Sequence, residues 1–248
     1  MKKSFFLKIA LILLAVAAGI GGILWLTYER QPLPDALDAL KSDAQVHVNM
    51  EPWLTFSPVQ EPATTGFIFY PGGRISYQGY SDFMKAIASE GYLVVVPKMP
   101  LNIAAFSPNL ADEITARHPE IKRWVIGGHS VGGTMAAQYA KTHPDITAGL
   151  IIWASYPADN ADLSGSGLPV AVIYGSLDPA ANEKSVTERK RLLPPDTHYV
   201  RIEGGDHHQF GSYVIQPDEH FATVDSESQQ KQIIEATLDL LKEISGIQ

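Results

Sequence analysis

Ser130, which has a glycine two residues away on each side, is the residue of this sequence best suited to nucleophilic chemistry. It lies in the pattern Gly128-x-Ser130-x-Gly132, after a short apolar run and before a run of helix-forming residues. A serine on a sharp strand-to-helix turn is exposed to a carbonyl carbon, and small neighbours leave room for that turn. The first N–H groups of the following helix stabilise negative charge. The pattern therefore predicts a nucleophile elbow in which Gly128 and Gly132 are the required glycines.

Such a serine needs a general base and an acid, and the sequence offers candidates for both. His207 and His208 compete as the base, since either could take the proton of Ser130. Asp178 follows an apolar run, and there a carboxylate would orient the imidazole or cap the next helix. Its position in the segment that follows a strand favours the first role. A metal ion bound by Asp206, His207 and His208 is disfavoured because adjacent residues rarely ligate one ion well, so we predict no metal and no cofactor.

The glycine pair in Tyr70-Pro71-Gly72-Gly73 suggests the remaining part of a catalytic site. Paired glycines let the backbone approach a ligand and present its N–H groups. We expect the N–H of Gly73 and the N–H of Val131, the residue after the serine, to form an oxyanion hole. The alternative is an ordinary turn between a strand and a helix.

The elements that would position these residues alternate along the chain, which predicts an α/β fold with a mostly parallel sheet and helices on both faces. The expected strands are Val46–Val48, Trp53–Phe56, Phe67–Tyr70, Leu93–Val96, Trp124–Ile126, Leu150–Trp153, Val170–Tyr174 and His198–Ile202. The expected helices are Pro34–Ser42, Tyr80–Glu90, Leu110–Arg117, Val131–Lys141, Asn182–Leu192 and Ser228–Ile244. In such sheets the ligand site lies at the carboxyl ends of the strands, where the candidate residues occur.

The composition excludes several classes of protein. The 248 residues carry a net charge of −8, which argues against a nucleic-acid partner because such a protein needs a basic face. The sequence has no cysteine, so disulfides, cysteine-ligated zinc and a cysteine nucleophile are excluded.

The N-terminal segment is basic and then apolar, and residues 9–28 form a run of 20 residues without a charge. That run is long enough to cross a bilayer as a helix. The positive-inside rule then predicts a single-pass protein of the cell membrane with its main domain outside the cytoplasm. The alternative is a secreted protein whose signal peptide is cleaved near Ala15-Val16-Ala17.

The corresponding domain organisation has three parts. Residues 1–30 are expected to form the membrane anchor or signal segment, and residues 31–45 a linker. Residues 46–248 are expected to form one domain of about 200 residues, a length that suits a sizeable single core.

Together these motifs resemble the α/β-hydrolase superfamily, in particular the small bacterial branch described as "alpha/beta hydrolase fold-5". The resemblance runs from Val46 to Ile244 and rests on four motifs, Tyr70–Gly73, Gly128–Gly133, Tyr174–Asp178 and Gly204–Gly211. It implies the chain order Ser130, Asp178, His207 for a catalytic triad, and it selects His207 over His208. Asp206 stands where the family more usually has Asn, and it places a negative charge beside the base.

The resemblance implies a serine hydrolase that works through an acyl-enzyme, with a small-molecule carboxylic ester as the first choice of substrate. Residues 154–168, where many relatives carry a cap domain, form a loop rich in Gly, Ser and Asp. We therefore expect no cap and an open site for small or accessible esters. Two alternatives stay open, namely hydrolysis of another acyl bond (peptide, lactone or thioester) and a catalytically silent, membrane-anchored binding protein.

Overall fold

An eight-stranded sheet forms the centre of the protein in a computed structural model that describes residues 13–19, 21–22 and 28–246. The strand order is β1-β2-β4-β3-β5-β6-β7-β8. The pairs β1–β2 and β2–β4 are antiparallel, and all other neighbours are parallel. The prediction of a mostly parallel α/β sheet is confirmed.

The strands lie close to where the apolar runs predicted them. Their bounds are Val46–Asn49 (β1), Leu54–Pro58 (β2), Thr65–Tyr70 (β3), Leu93–Val96 (β4), Arg123–His129 (β5), Thr147–Trp153 (β6), Val170–Gly175 (β7) and His198–Ile202 (β8). The α-helices within residues 28–246 are Pro34–Asp38 (α1), Ser81–Ser89 (α2), Ala111–Arg117 (α3), Val131–Thr142 (α4), Glu183–Arg189 (α5) and Ser226–Ser245 (α6). Helix α6 begins two residues earlier than predicted because the side chain of Asp225 caps it by accepting the N–H of Ser228.

Alternate residues of the strands pack into two separate cores, one on each face of the sheet. In β3, Phe67 and Phe69 pack on the side of α2 and α6, whereas Ile68 and Tyr70 pack on the side of α3, α4 and α5. Successive side chains of a strand point to opposite faces, so a strand covered on both faces must be apolar throughout. All six residues of β3 are buried, and this burial holds the carboxyl ends of the strands in place.

The connection between β6 and β7 is an irregular loop. Residues 154–169 are all described by the structure and contain no helix or strand. This connection, where a cap was looked for, therefore forms no cap domain.

The predicted membrane-spanning helix over residues 9–28 is not confirmed. Of that run the structure describes residues 13–19, 21, 22 and 28, of which residues 13–19, 21 and 22 are helical, and the other positions lie outside the described residues. In the described part of the chain, no helix has the length and apolar character that a membrane crossing requires. A hydrocarbon core of about 30 Å needs about 20 continuous helical residues. The predicted single-pass location, with membrane contact through this helix, is wrong on this finding.

Candidate active site

Ser130 lies on the turn between β5 and α4 in a strained conformation. Its backbone angles are φ 53° and ψ −124°, in the left-handed half of the map that non-glycine residues rarely occupy. A Cβ on Gly132 would overlap the carbonyl oxygen of Tyr70, and one on Gly128 would lie 2.5 Å from the carbonyl carbon of Gly132. Both positions therefore require glycine, as the elbow pattern predicted.

The main chain of Ser130 is fixed by the neighbouring strand. Its N–H donates to the carbonyl oxygen of Trp153 at 3.0 Å, and its own carbonyl oxygen accepts the Ser155 hydroxyl at 2.6 Å. Trp153 is the last residue of β6, and Ser155 is 5% exposed. Since β6 is anchored in both cores, these bonds keep the strained turn in one geometry.

The two predicted oxyanion donors lie next to each other. A Cβ on Gly73 would lie 3.1 Å from Cγ1 of Val131, so the loop after β3 touches the first residue of α4. The N–H of Val131 has no acceptor within its own helix because it lies in the first turn. The structure thus brings Gly73, Val131 and Ser130 together at the carboxyl edge of the sheet.

His207 and Asp178 are joined by a direct hydrogen bond. Nδ1 of His207 lies 2.8 Å from Oδ2 of Asp178, and the two side chains are 12% and 0% exposed. The other carboxylate oxygen, Oδ1, accepts the N–H groups of Ala180 and Ala181, each at 2.7 Å. Asp178 therefore fixes its own turn with one oxygen and the imidazole with the other. The helix cap that the sequence offered as the alternative role of Asp178 is instead Asn182, which caps α5.

His208 lies on the other side of the same turn. Its ring is perpendicular to that of His207 at 5.7 Å and lines a cavity of about 620 Å³ formed with the start of α6. Burial lowers the pKa of His208, and the neighbouring His207 lowers it further. The structure brings His207, and not His208, to the carboxylate of Asp178.

Asp206 is fully buried and organises the turn that carries His207. Its Oδ1 accepts the N–H groups of His208 and Gln209, at 2.9 and 3.0 Å. Its Oδ2 accepts the N–H groups of Phe221 and Ala222, each at 3.1 Å. The carboxylate thus satisfies four backbone donors and ties two separate segments together.

Gln229 of α6 completes this arrangement, and the motifs did not reveal it. Its side-chain amide accepts the N–H of Asp206 at 3.1 Å and donates to the carbonyl oxygen of Asp206 at 2.8 Å. Gln229 is fully buried and lies on the same helix face as Ile233, Ala236 and Leu240. The sequence signal that could have indicated this role is a polar residue on the apolar face of a helix.

His129, the residue before Ser130, connects the three segments that contain the candidate catalytic residues. Its ring lies 4.7 Å from that of His207 and stacks on Phe210 at 5.8 Å. Its Nδ1 lies 2.9 Å from the hydroxyl oxygen of Tyr80, which also accepts the N–H of Gly72. Burial first, and then His207 and His208, lower the pKa of His129 well below its usual range, so the ring is neutral. Sequence spacing contained no signal for the part played by Tyr80.

Among the described residues, no group of three or more His, Asp or Glu side chains could hold a metal ion.

Solved structures similar to this chain include proteins described as a hydrolase and as a lipase. An alpha/beta hydrolase enzyme from the metagenome of Mar Chica lagoon sediments, Morocco, matches with a TM-score of 0.57 at 17% identity, over 79% of this chain and 98% of that one. Est1E from Butyrivibrio proteoclasticus, with ferulic acid bound, matches with a TM-score of 0.56 at 12% identity, over 80% and 99%. A monoglyceride lipase from Saccharomyces cerevisiae matches with a TM-score of 0.60 at 11% identity, over 83% and 96%. At these identities the likeness establishes the fold alone.

The family was identified by sequence comparison. No curated protein matches the chain. The model of the Alpha/beta hydrolase family (Abhydrolase_5) matches residues 66–231, about two thirds of the chain, and this stretch contains every candidate catalytic residue named above. The chain therefore belongs to the alpha/beta hydrolase family.

Proposed function

We propose that this protein is a serine hydrolase that cleaves carboxylic esters through an acyl-enzyme. The observation that carries the proposal is the 2.8 Å bond between His207 Nδ1 and Asp178 Oδ2, beside a serine in a strained elbow. A buried carboxylate on Nδ1 leaves Nε2 as the basic nitrogen, which is the form that accepts a proton from a serine hydroxyl. A merely structural turn does not need a nucleophile, a base and an acid at three strand ends.

In the proposed reaction, Ser130 Oγ attacks the ester carbonyl while His207 Nε2 takes its proton. Asp178 stabilises the imidazolium that forms. The N–H groups of Gly73 and Val131 stabilise the oxyanion, and His207 then donates its proton to the departing alcohol. Water, activated by the same imidazole, hydrolyses the acyl-enzyme and releases the acid.

Small or accessible esters are the proposed substrates. Residues 154–169 form no cap, so little protein is available to bury a long acyl chain. One of the similar structures is a monoglyceride lipase and another contains ferulic acid, which is a carboxylic acid. Both names fit chemistry at a carboxyl carbon and support the proposal without fixing the substrate.

Labelling with a fluorophosphonate probe tests the nucleophile. We expect the wild-type protein to be labelled and Ser130→Ala to be unlabelled, because the probe reacts with an activated serine. Ser164→Ala is the matched control, since Ser164 is exposed on the loop after β6 and should leave labelling unchanged. Labelling that survives Ser130→Ala would remove the central claim.

Turnover of a series of esters tests the base and the substrate class. We expect His207→Ala to lose turnover and His208→Ala to keep most of it. Rates should fall as the acyl chain grows from acetate to laurate, and esters should be cleaved faster than matched amides, lactones or thioesters. Loss of turnover in His208→Ala alone, or a preference for laurate, would contradict these assignments.

A further inference from the structure

Residues 29–33, here called the N-terminal strap, lie between two loops of the candidate site and hydrogen-bond to both. On one side, the N–H of Arg30 donates to the carbonyl oxygen of Arg74 at 2.8 Å, and the N–H of Ser76 donates to the carbonyl oxygen of Arg30 at 3.0 Å. Arg74 directly follows Gly73, the proposed oxyanion donor, and has a φ of 62°. The strap therefore holds a strained residue next to the oxyanion hole.

On its other side, the strap pairs with the segment that follows His207. The N–H of Val214 donates to the carbonyl oxygen of Gln31 at 2.8 Å, and the N–H of Leu33 donates to the carbonyl oxygen of Ser212 at 2.9 Å. Ser212 lies five residues after His207. One short segment thus contacts two loops. They are the loop after β3 that contains Gly73, here called the oxyanion loop, and the loop after β8 that contains His207, here called the histidine loop.

An ion pair fixes the strap in this position. The guanidinium of Arg30 contacts both carboxylate oxygens of Glu219, with Nη1–Oε2 at 2.7 Å and Nη2–Oε1 at 2.5 Å. The side chains are 19% and 27% exposed. The hydrogen bond with Arg30 lowers the pKa of Glu219 to about 2, so the carboxylate is charged at neutral pH. A two-point contact of this kind fixes orientation as well as distance.

The sheet explains why such a connection matters. The oxyanion loop follows β3 and the histidine loop follows β8, and these strands are four positions apart in the sheet. At about 4.8 Å per strand, their ends are separated by roughly 19 Å, so each loop must extend well beyond its own strand. The strap fixes the spacing between the two loops, which the strands alone leave open.

We propose that the N-terminal strap, held by Arg30 and Glu219, positions the oxyanion loop relative to His207 and so sets the catalytic rate. This inference rests on the proposed serine hydrolase function. Arg30 is a positioning residue because it acts on the reaction through the two loops. A small displacement of catalytic groups is enough to change a rate strongly.

The test compares Arg30→Gln, Glu219→Gln and the double variant in the full chain, with Lys231→Gln as control. Lys231 belongs to an exposed ion pair with Glu235 on α6. We expect kcat to fall about 3- to 10-fold in Arg30→Gln, with KM changed less than about 2-fold, because positioning is affected more than ground-state binding. The double variant should be no slower than Arg30→Gln alone, since both changes remove one interaction. Arg30→Lys keeps one contact with Glu219, so its kcat should lie between that of the wild type and that of Arg30→Gln.

Amide hydrogen exchange separates this inference from the proposed function. Exchange of residues 72–76 and 212–214 should be faster in Arg30→Gln and unchanged in Lys231→Gln. Unchanged exchange in Arg30→Gln overturns the inference whether or not the wild-type protein cleaves esters. An unchanged kcat, or equal changes in kcat for Arg30→Gln and Lys231→Gln, also overturns it. Failure of the proposed function would instead appear as probe labelling that persists in Ser130→Ala.

Discussion

The hydroxyl oxygen of Tyr80 lies 2.9 Å from Nδ1 of His129, and both side chains are fully buried. Burial raises the pKa of Tyr80 and lowers that of His129, so the phenol keeps its proton and the imidazole is neutral. The phenol therefore donates to Nδ1 and accepts the N–H of Gly72, 2.9 Å away. One hydroxyl group links the loop that contains Gly73 to the residue before Ser130.

Tyr80→Phe should consequently reduce the rate more than it weakens substrate binding. The change leaves the N–H of Gly72 and Nδ1 of His129 without their partner. We expect a loss of unfolding free energy of about 1–3 kcal/mol. We also expect kcat to fall about 10-fold, because the oxyanion loop loses a fixed point. Steady-state kinetics and urea unfolding measure the two effects.

The control for this experiment is Tyr92→Phe. The hydroxyl of Tyr92 lies 3.4 Å from that of Ser245, at the end of α6, and contacts none of the candidate catalytic residues. Its removal should leave kcat unchanged. If Tyr80→Phe retained the full rate, the hydroxyl would have no part in positioning the oxyanion loop.

The buried carboxylate of Asp206 gives a second prediction. Asp206→Asn is nearly isosteric, but an amide offers one acceptor oxygen where the carboxylate offers two, so its NH₂ group would face two backbone N–H donors. We expect a loss of about 2–4 kcal/mol in the free energy of unfolding. The kcat should fall as well, since the same carboxylate fixes the turn of His207. Urea unfolding and ester turnover check both expectations.

Asp225→Asn is the matched control for that substitution. Asp225 also accepts a backbone N–H, that of Ser228 at 2.8 Å, but it does so as the exposed cap of α6. Asn caps helices as well as Asp does, so stability should change by less than about 0.5 kcal/mol. Equal effects of the two substitutions would contradict a special role for Asp206.

The sequence predicted the sheet well and singled out the candidate catalytic residues at the strand ends, because both leave local patterns. Strands such as β3 and β7 are buried on both faces, so they appear as uninterrupted apolar runs. Ser130, Asp178 and His207 each follow such a run, and the topology of a parallel sheet brings strand ends to one edge.

The supporting contacts could not be predicted because they join residues that are far apart in the chain. Arg30 and Glu219 are separated by 189 residues, and Tyr80 and His129 by 49. No spacing rule connects such pairs. The apolar N-terminal run misled the prediction for a different reason, since an apolar composition does not by itself establish a membrane-spanning helix.

The fully buried His129 and the partly buried His208 predict how stability depends on pH. The folded-state pKa values of His129 and His208 lie below the usual value of about 6.5, chiefly because of burial. Below that pH the unfolded chain binds more protons than the folded protein, so the free energy of unfolding should decrease as pH falls from about 7 to about 5. His208→Gln should reduce this slope. His198→Gln, which alters a side chain that is 55% exposed, should leave it nearly unchanged.

Urea unfolding of these three proteins at several pH values makes the comparison. The wild type and His198→Gln should lose stability together on acidification, and His208→Gln should lose less. If the stability of the wild type rose below about pH 6.5, the sign of the prediction would be wrong.

The two functions of the Asp178 carboxylate can be separated by Asp178→Asn. The oxygen of the amide can still accept the N–H groups of Ala180 and Ala181, so the turn should fold and stability should change little. The NH₂ group would then face His207 Nδ1, which forces the proton onto Nε2 and removes the base. If Asp178 orients the proposed base, we expect kcat to fall about 10³- to 10⁴-fold, the size of loss that this substitution causes in a Ser-His-Asp triad. Asp162→Asn, at an exposed turn of similar geometry, should keep full activity, and a comparable rate in both variants would show that Asp178 only shapes its turn.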